Sequence, residues 1–360
     1  MKKRLCIIGG GGIPARYGGF ETFAENIALE LKQILEISVI CSSKLYPEDE
    51  PTKEYFGINR VFYKIAHTGI SSLWYDLKGL LWARKNSDYI LLLGIGAGLL
   101  MPFIKSLKTQ NLLLHIDGLE WIRSKWNFLI KLYLKLSYLI AVRYAHVILL
   151  DNRALQKYVP RRYGKKIRYL NYGGNHIPVN VPEMLFPESP YALVIARAEP
   201  ENNLELILKV FKQQKNLNLI IISNWQNTSY GRKIYQSYSG EVNIHLLPAI
   251  YNNIRIQQYR MNCTIYIHGH SAGGTNPSLV EAMYGGLPIF AYDNEFNRIT
   301  TNNLARYFRS KEDLELILSN TSQEELKLAA KEMQNFAFQN YTWKLSGNKL
   351  LEIIAENTNP

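Results

Sequence analysis

The stretch CTIYIHGHSAGGTNPSLVEAM, residues 263–283, puts a β-branched apolar run, a loop with three glycines and an amphipathic run in direct succession. That is the pattern of a strand, a turn and a helix. Asn276 can cap the helix, and Pro277 suits its first position because the missing N–H would have been unpaired there anyway. GGLP at 285–288 ends the helix, so it is short and its N-terminal N–H groups carry partial positive charge. Gly273 and Gly274 leave room for an anion beside that end. Ser278 and Glu281 have the spacing of a capping box. A carboxylate at 281 could equally accept two hydrogen bonds from a ribose diol, and spacing alone leaves both readings open.

Working outward, the same alternation recurs in both directions. Before the opening stretch come YALVIARA, LNLIIIS and VNIHLLP; after it comes LPIFAYD, with helical patterns between these runs. Upstream, RLCIIGG, ISVICSS, RVFYKIAH, YILLLG, NLLLHID, HVILLD and KIRYLNYG read as strands. Helices are expected over residues 19–32, near SLWYDLKGLLWARK, and from about Trp126 to Ala145. Strands alternating with helices imply parallel sheets covered on both faces. GNHIPVNVPEMLFPESP, residues 174–190, carries four prolines and little periodicity, as a linker would. The reading is α/β: two doubly wound Rossmann-like domains, with ligands expected at the carboxyl ends of the strands. The expected bounds are a first domain over 1–175, a linker over 176–190, a second domain over 191–335 and a C-terminal helical segment over 336–360.

A second glycine-rich loop, GGGGIPARYGG (residues 9–19), follows the first strand with six glycines in eleven positions. A G-x-G-x-x-G fingerprint would need glycine where Pro14 stands, and the second strand ends without the acidic residue that would hold a ribose. A nicotinamide enzyme is therefore not expected. A tight turn needs two glycines, so six favour a loop that lets backbone approach phosphate or sugar, with Gly18 and Gly19 at the helix threshold.

The 360 residues are 47% hydrophobic and 20% charged, a globular composition with room for two domains. The net charge of +12 lies in the first half: residues 101–180 hold 14 basic residues against 3 acidic ones. Such an excess fits a polyanionic partner, an anionic membrane or a nucleic acid. WNFLIKLYLKLSYLIAV (126–142) is interrupted by Lys131 and Lys135, so it is not expected to span a bilayer; it reads as a buried helix or an interfacial one. The opening MKKRLCIIGGGG is too short in its apolar part for an export signal. Cys6, Cys41 and Cys263 lack metal-ligand spacing and read as buried thiols in a reducing compartment.

Several of these motifs carry a resemblance. PSLVEAMYGGLP and ARAEPENNLELIL resemble the nucleotide-binding segments of glycosyltransferase family 4, retaining GT-B enzymes that use nucleotide sugars. GGIPARYGGFETFAENIA, DGLEWIRSKW, RAEPENN and HGHSAGGTNPSLVEAM resemble a subgroup of bacterial polysaccharide rhamnosyltransferases. The resemblance implies that Arg197 meets the donor diphosphate, that Gly274, Asn276, Pro277 and Ser278 shape the phosphate-facing helix end, and that Glu281 holds the nucleotide ribose. Gly18, Gly19, Asn202, Gly273 and Thr275 complete the expected donor-binding set. The chain departs from the broader family twice: Gly273 stands where the first glutamate of E-x7-E would be, and Asn202 where a lysine would be. Both losses fit a 6-deoxy sugar.

By the same resemblance the donor would be dTDP-L-rhamnose and the acceptor a lipid-diphosphate-linked saccharide at the cytoplasmic face of the membrane, with no metal, no cofactor and no nucleic acid. Asp117 is the first choice for the base that takes the acceptor's proton, Glu120 the second; His115 is third and expected to be structural. His268 and His270 lack a third metal ligand. The alternatives are a UDP-hexose donor, a nucleic-acid-binding protein using the basic half, and a sugar-nucleotide epimerase of the same shape.

Overall fold

The structure, a computed structural model, describes residues 2–16, 18–46, 52–104, 111–116, 118–123, 126–178, 181–182, 190–214 and 216–356. The chain divides into two compact units.

The first unit comprises residues 1–122, 126–173 and 343–360. In chain order it runs β1 (Arg4–Ile8), α1 (Gly19–Leu31), β2 (Glu36–Ser42), β3 (Glu54–Tyr55), β4 (Ile58–Tyr63), α2 (Ser71–Asn86), β5 (Tyr89–Leu93), β6 (Asn111–Ile116), α3 (Phe128–Tyr144), β7 (Val147–Leu150) and β8 (Ile167–Tyr169). The strands form one sheet in the order β3-β4-β2-β1-β5-β6-β7-β8, parallel throughout except for the short β3 beside β4. β5 is buried along its whole length, which is why YILLL is continuously apolar rather than alternating. β1 lies between β2 and β5, so the connections leave it in opposite directions. Its carboxyl end is the switch point of the sheet, where doubly wound folds bind ligands.

The second unit holds residues 174–342 and, with them, 123–125. It runs β9 (Tyr191–Ile195), α4 (Leu204–Phe211), β10 (Asn218–Ser223), α5 (Ser229–Tyr238), β11 (Ile244–Pro248), α6 (Asn253–Asn262), β12 (Ile265–His268), α7 (Pro277–Tyr284), β13 (Ile289–Tyr292), α8 (Glu295–Thr300), β14 (Arg306–Phe308), α9 (Lys311–Asn320) and α10 (Gln323–Asn340). Its six strands are ordered β11-β10-β9-β12-β13-β14, all parallel. Here the switch point falls between β9 and β12. Ala192, Val194, Ile207, Phe211, Leu219, Ile267 and Phe290 are fully buried between sheet and helices.

The last helix, α11 (Trp343–Glu356), corrects the expected C-terminal segment. It belongs to the first unit and packs on α1, while α10 runs across the expected boundary at 335 as part of the second. Trp343 contacts the rings of Phe23 (centroids 5.9 Å apart) and Tyr172 (4.7 Å). Gly347 lets α11 approach Glu30 and Leu31; a Cβ there would lie 3.3 Å from each. The expected helix from Trp126 to Ala145 is α3. Most of the expected linker, residues 179–180 and 183–189, lies outside the described residues. No helix among the described residues is long and apolar enough to cross a membrane.

Candidate functional site

In the second unit, the loop after β9 and the loop after β12 meet at the switch point. The first is Arg197–Asn203, and Asn203 can lead into α4 because it adopts φ +50°, a conformation asparagine tolerates. The second is residues 269–276. Gly269 has no alternative: a Cβ there would lie 2.2 Å from the Asn202 carbonyl oxygen. Asn203 Nδ2 donates to the Gly269 carbonyl at 2.8 Å, and both the N–H and the hydroxyl of Ser271 donate to the Glu201 carbonyl, at 2.8 and 2.9 Å.

Asn202 lies at the centre of this stitching. It is 5% exposed; its Nδ2 donates to the Arg197 carbonyl and its Oδ1 meets His270 Nδ1, each at 2.8 Å. Since the amide oxygen is the acceptor there, His270 carries its proton on Nδ1 and leaves Nε2 as a lone pair. Burial, reinforced by the neighbouring His268, Arg123 and Arg197, holds His270 well below the ordinary imidazole range, so the ring is neutral. A Cβ at Gly273 would lie 3.2 Å from Nε2, and Gly273 sits at φ +107°. Asn202, expected to bind donor, is bonded inside the protein at both ends of its amide, and through these bonds it positions Arg197 and His270. Arg197 itself is exposed at the loop surface.

α7 begins as the sequence indicated, with Asn276 as cap and Pro277 at the first position. Asn276 Oδ1 accepts from the Ser278 N–H at 3.0 Å and from its hydroxyl at 2.8 Å. This removes the capping alternative for Glu281. Ser278 is inside the helix rather than at its cap, so no Ser278–Glu281 capping box exists. The Glu281 carboxylate instead receives the Arg260 guanidinium of α6 on Oε2, and His176 Nε2 lies 3.3 Å from Oε1. Burial would raise this carboxyl, but Arg260, then His176, outweigh it and hold it below the ordinary glutamate range. Glu281 is a fixed, ionised acceptor one helical turn behind the open end of α7. Arg260, His176 and His270 were not among the sequence-predicted site residues. Thr275 is buried beneath the loop.

Beside this loop, Arg123 Nε lies 3.8 Å from Glu201 Oε1, and Glu201 is raised by burial and by the adjoining Glu199. His268 ends β12, is 3% exposed, and burial lowers it to about 3. No group of three or more His, Cys, Asp or Glu among the described residues could hold a metal ion.

In the first unit, the glycine-rich loop is explained largely by packing. A Cβ at Gly9 would lie 1.9 Å from the Leu93 carbonyl oxygen, one at Gly12 2.6 Å from Cys41 Sγ, and one at Gly11 2.6 Å from Glu21 Oε1. Gly9 and Gly12 also adopt φ +108° and +118°. Gly18, at φ +114° with nothing within 4 Å, opens onto free space. It caps α1 without a side-chain bond, and Gly19 is the first helical residue. The buried Glu21 carboxylate accepts from the Gly11 N–H at 3.2 Å and lies 3.4 Å from His67 Nε2.

Asp117, the favoured base, lies outside the described residues. Glu120 opens a short 3₁₀ turn, Glu120–Ile122, and is partly exposed. His115, near the end of β6, is 4% exposed; neither ring nitrogen has a hydrogen-bond partner, and burial lowers it to about 4. It sits between Phe20 (ring centroids 5.9 Å apart) and Phe23 (4.8 Å).

Two parallel-sheet Rossmann-like units, each with its loops gathered at a switch point, define a fold of the GT-B class. Solved glycosyltransferases share it. Sucrose-phosphate synthase from Thermosynechococcus elongatus is similar with a TM-score of 0.81 at 11% identity over 99% of both chains. HepE from Anabaena, in complex with UDP-glucose, is similar with a TM-score of 0.76 at 13% identity, over 99% of this chain and 100% of that one. An E. coli structure described as trehalose-6-phosphate bound with UDP-2-fluoro glucose gives 0.67 at 11%, over 97% and 98%. At these identities the likeness shows the fold. Residues 181–337 match the family described as glycosyl transferases group 1. Residues 2–175 match a family described as a domain of unknown function, DUF1972. No curated protein matches the chain.

Proposed function

We propose that this chain is a retaining hexosyltransferase that moves L-rhamnose from dTDP-L-rhamnose to a lipid-diphosphate-linked saccharide in surface polysaccharide synthesis. The observation that carries the reading is Glu281: an ionised carboxylate that does no capping, held by Arg260 and His176 directly behind the open end of α7. A nucleotide laid along this path puts its ribose diol on Glu281 and its diphosphate at the α7 N-terminus and Arg197, where helix dipole and guanidinium stabilise the departing charge without a metal. The C1–O bond to the diphosphate breaks as the acceptor oxygen bonds C1. The acceptor's proton passes to Asp117 or to the leaving phosphate oxygen, with Glu120 as the second candidate. Gly273 bears on the sugar: a glutamate at φ +107° would be strained, so the loop is built without that carboxylate, as suits a sugar lacking the 6-hydroxyl.

The acceptor places the protein at the cytoplasmic face of an anionic membrane. A UDP-hexose donor is the second reading, favoured by the UDP and UDP-glucose complexes among the similar folds. Calorimetric titration with dTDP-rhamnose, UDP-glucose and a GDP-sugar decides between them, with single-stranded DNA as control. Saturable binding of dTDP-rhamnose alone is the expected result; binding of DNA and no nucleotide sugar rejects the proposal. Turnover then tests the base: Asp117→Asn should lower kcat by about 10²–10⁴-fold, and Glu120→Gln by much less.

A further inference from the structure

α3 is apolar on the side it turns to solvent. Its inner side is well anchored: Ser137 Oγ donates to the Ile95 carbonyl at 2.6 Å, Tyr133 Oη to that of Gly96 at 2.7 Å, and Tyr138 Oη to that of Tyr158 at 3.1 Å. Ser137, Tyr138, Ala141 and Val142 are buried. The outer side should then be polar. Instead Phe128 is 76% exposed, Leu129 73% and Leu132 45%, with Leu136 and Leu139 exposed beyond them. At about 100° per residue these five, with the exposed Lys135 and Arg143, fall in one arc of about 120°. Lys131 flanks it. The 3₁₀ turn Gly98–Phe103, against which α3 packs, leaves Phe103 84% exposed.

We infer that this outer face of α3 is a membrane-docking surface that lies in the interface of an anionic bilayer, with Phe128, Leu129, Leu132, Leu136 and Leu139 among the acyl chains and Lys131, Lys135 and Arg143 at the lipid phosphates. Charge selects this occupant over a second copy of the chain. α3 contains no acidic residue, so a two-fold interface would set the same cations of two copies against each other with no carboxylate on the helix to meet them. Lipid phosphates complete that charge pattern, and long basic side chains reach them from an inserted helix. The face extends the membrane-side acceptor proposed above. Vesicle binding is read without substrate, so it fails or succeeds independently of that reading.

The test is flotation of the full-length protein with vesicles of phosphatidylglycerol and phosphatidylcholine, and with phosphatidylcholine alone, at low and high salt. Binding to the anionic vesicles only, weakened by salt, is expected. The double change Leu132→Ser/Leu136→Ser should lower the partition coefficient at least about tenfold, because two apolar side chains no longer leave water. Lys131→Gln/Lys135→Gln should remove most of the salt dependence. Phe128→Trp should be quenched by brominated lipid. Unchanged partitioning of the serine variant, an unquenched Trp, or equal binding to neutral vesicles overturns the proposal. A concentration-dependent dimer in sedimentation velocity that the serine variant abolishes, without vesicle binding, overturns it in favour of a second copy. Nucleotide titration of each variant, expected unchanged, shows that the fold is intact.

Discussion

Glu21 and Glu281 hold comparable places, each on the helix that follows a glycine-rich loop at a switch point, yet they face different partners. Glu21 accepts from the backbone of its own loop and lies beside His67, whose pKa burial lowers, so it fastens Gly11. Glu281 is set between Arg260 and His176, side chains remote in sequence, and its loop is fastened by others: Asn202, Asn203 and the Glu201 carbonyl. The difference teaches that glycine count alone does not mark a ligand loop. Gly9, Gly11 and Gly12 are there because Leu93, Glu21 and Cys41 leave no space for a Cβ. What sets the second loop apart is a carboxylate held by the Arg260 guanidinium and His176, with no duty in the helix cap.

The largest effect expected from breaking this contrast is at Gly9. Gly9→Ala sets a methyl group 1.9 Å from a backbone oxygen at positive φ and should cost more than about 4 kcal/mol in urea unfolding. Gly18→Ala, in open space, should cost only about 1–3 kcal/mol through strain. Equal losses would remove the packing explanation of the first loop.

Glu281→Gln comes next. It strands the buried Arg260, 3% exposed, and should lower stability by about 3–5 kcal/mol while abolishing measurable nucleotide binding. Glu281→Leu with Arg260→Met should restore much of the stability and none of the binding. Glu21→Gln is the control: a stability loss with nucleotide affinity kept, by calorimetry. If the double variant still binds nucleotide, Glu281 is a packing residue like Glu21.

His115 should produce a pH signature in the first unit. Above its unfolded pKa of 6.5 the ring is neutral whether the chain is folded or not. Below 6.5 the unfolded chain takes a proton that the folded ring refuses until about 4, so stability falls as the pH drops through that window, by on the order of 3 kcal/mol. His115→Phe, between Phe20 and Phe23, should flatten that part of the stability–pH curve in denaturant titrations. An unchanged slope would show that the ring is protonated or hydrogen-bonded in solution.

The smallest effect concerns Asn202. Asn202→Ala leaves His270 Nδ1 and the Arg197 carbonyl unpaired and should cost about 1–3 kcal/mol. Nucleotide affinity should fall several-fold through the loosened Arg197. A loss of affinity as complete as that of Arg197→Ala would mean that Asn202 touches the ligand after all.

Much of this was legible in the amino-acid order. The alternation of β-branched runs and helices marks the two Rossmann-like sheets, and Asn276 with Pro277 marks the start of α7, because caps and periodicity are local. The partners of Glu281 were not legible: Arg260 and His176 are far from it in sequence, and only the packing of α6 and the turn at 174–177 brings them in. Asn202 read as a missing lysine because its bond to His270 crosses between two strand ends. The short edge strands β3 and β14 carry too few residues for a pattern, and α11 carries no mark of which sheet it will cover.

That last helix reorders the life history of the molecule. Phe23, Tyr172 and Gly173 meet Trp343, and the Asn171 carbonyl accepts from Ser346, so the first unit is built from both ends of the chain. During synthesis everything from Gly174 to Thr342 emerges before that unit can be finished. A nascent first unit therefore waits with its α1 groove bare while the second is translated and folds. A fragment cut at residue 175 would inherit the same bare groove for good, however complete its sheet.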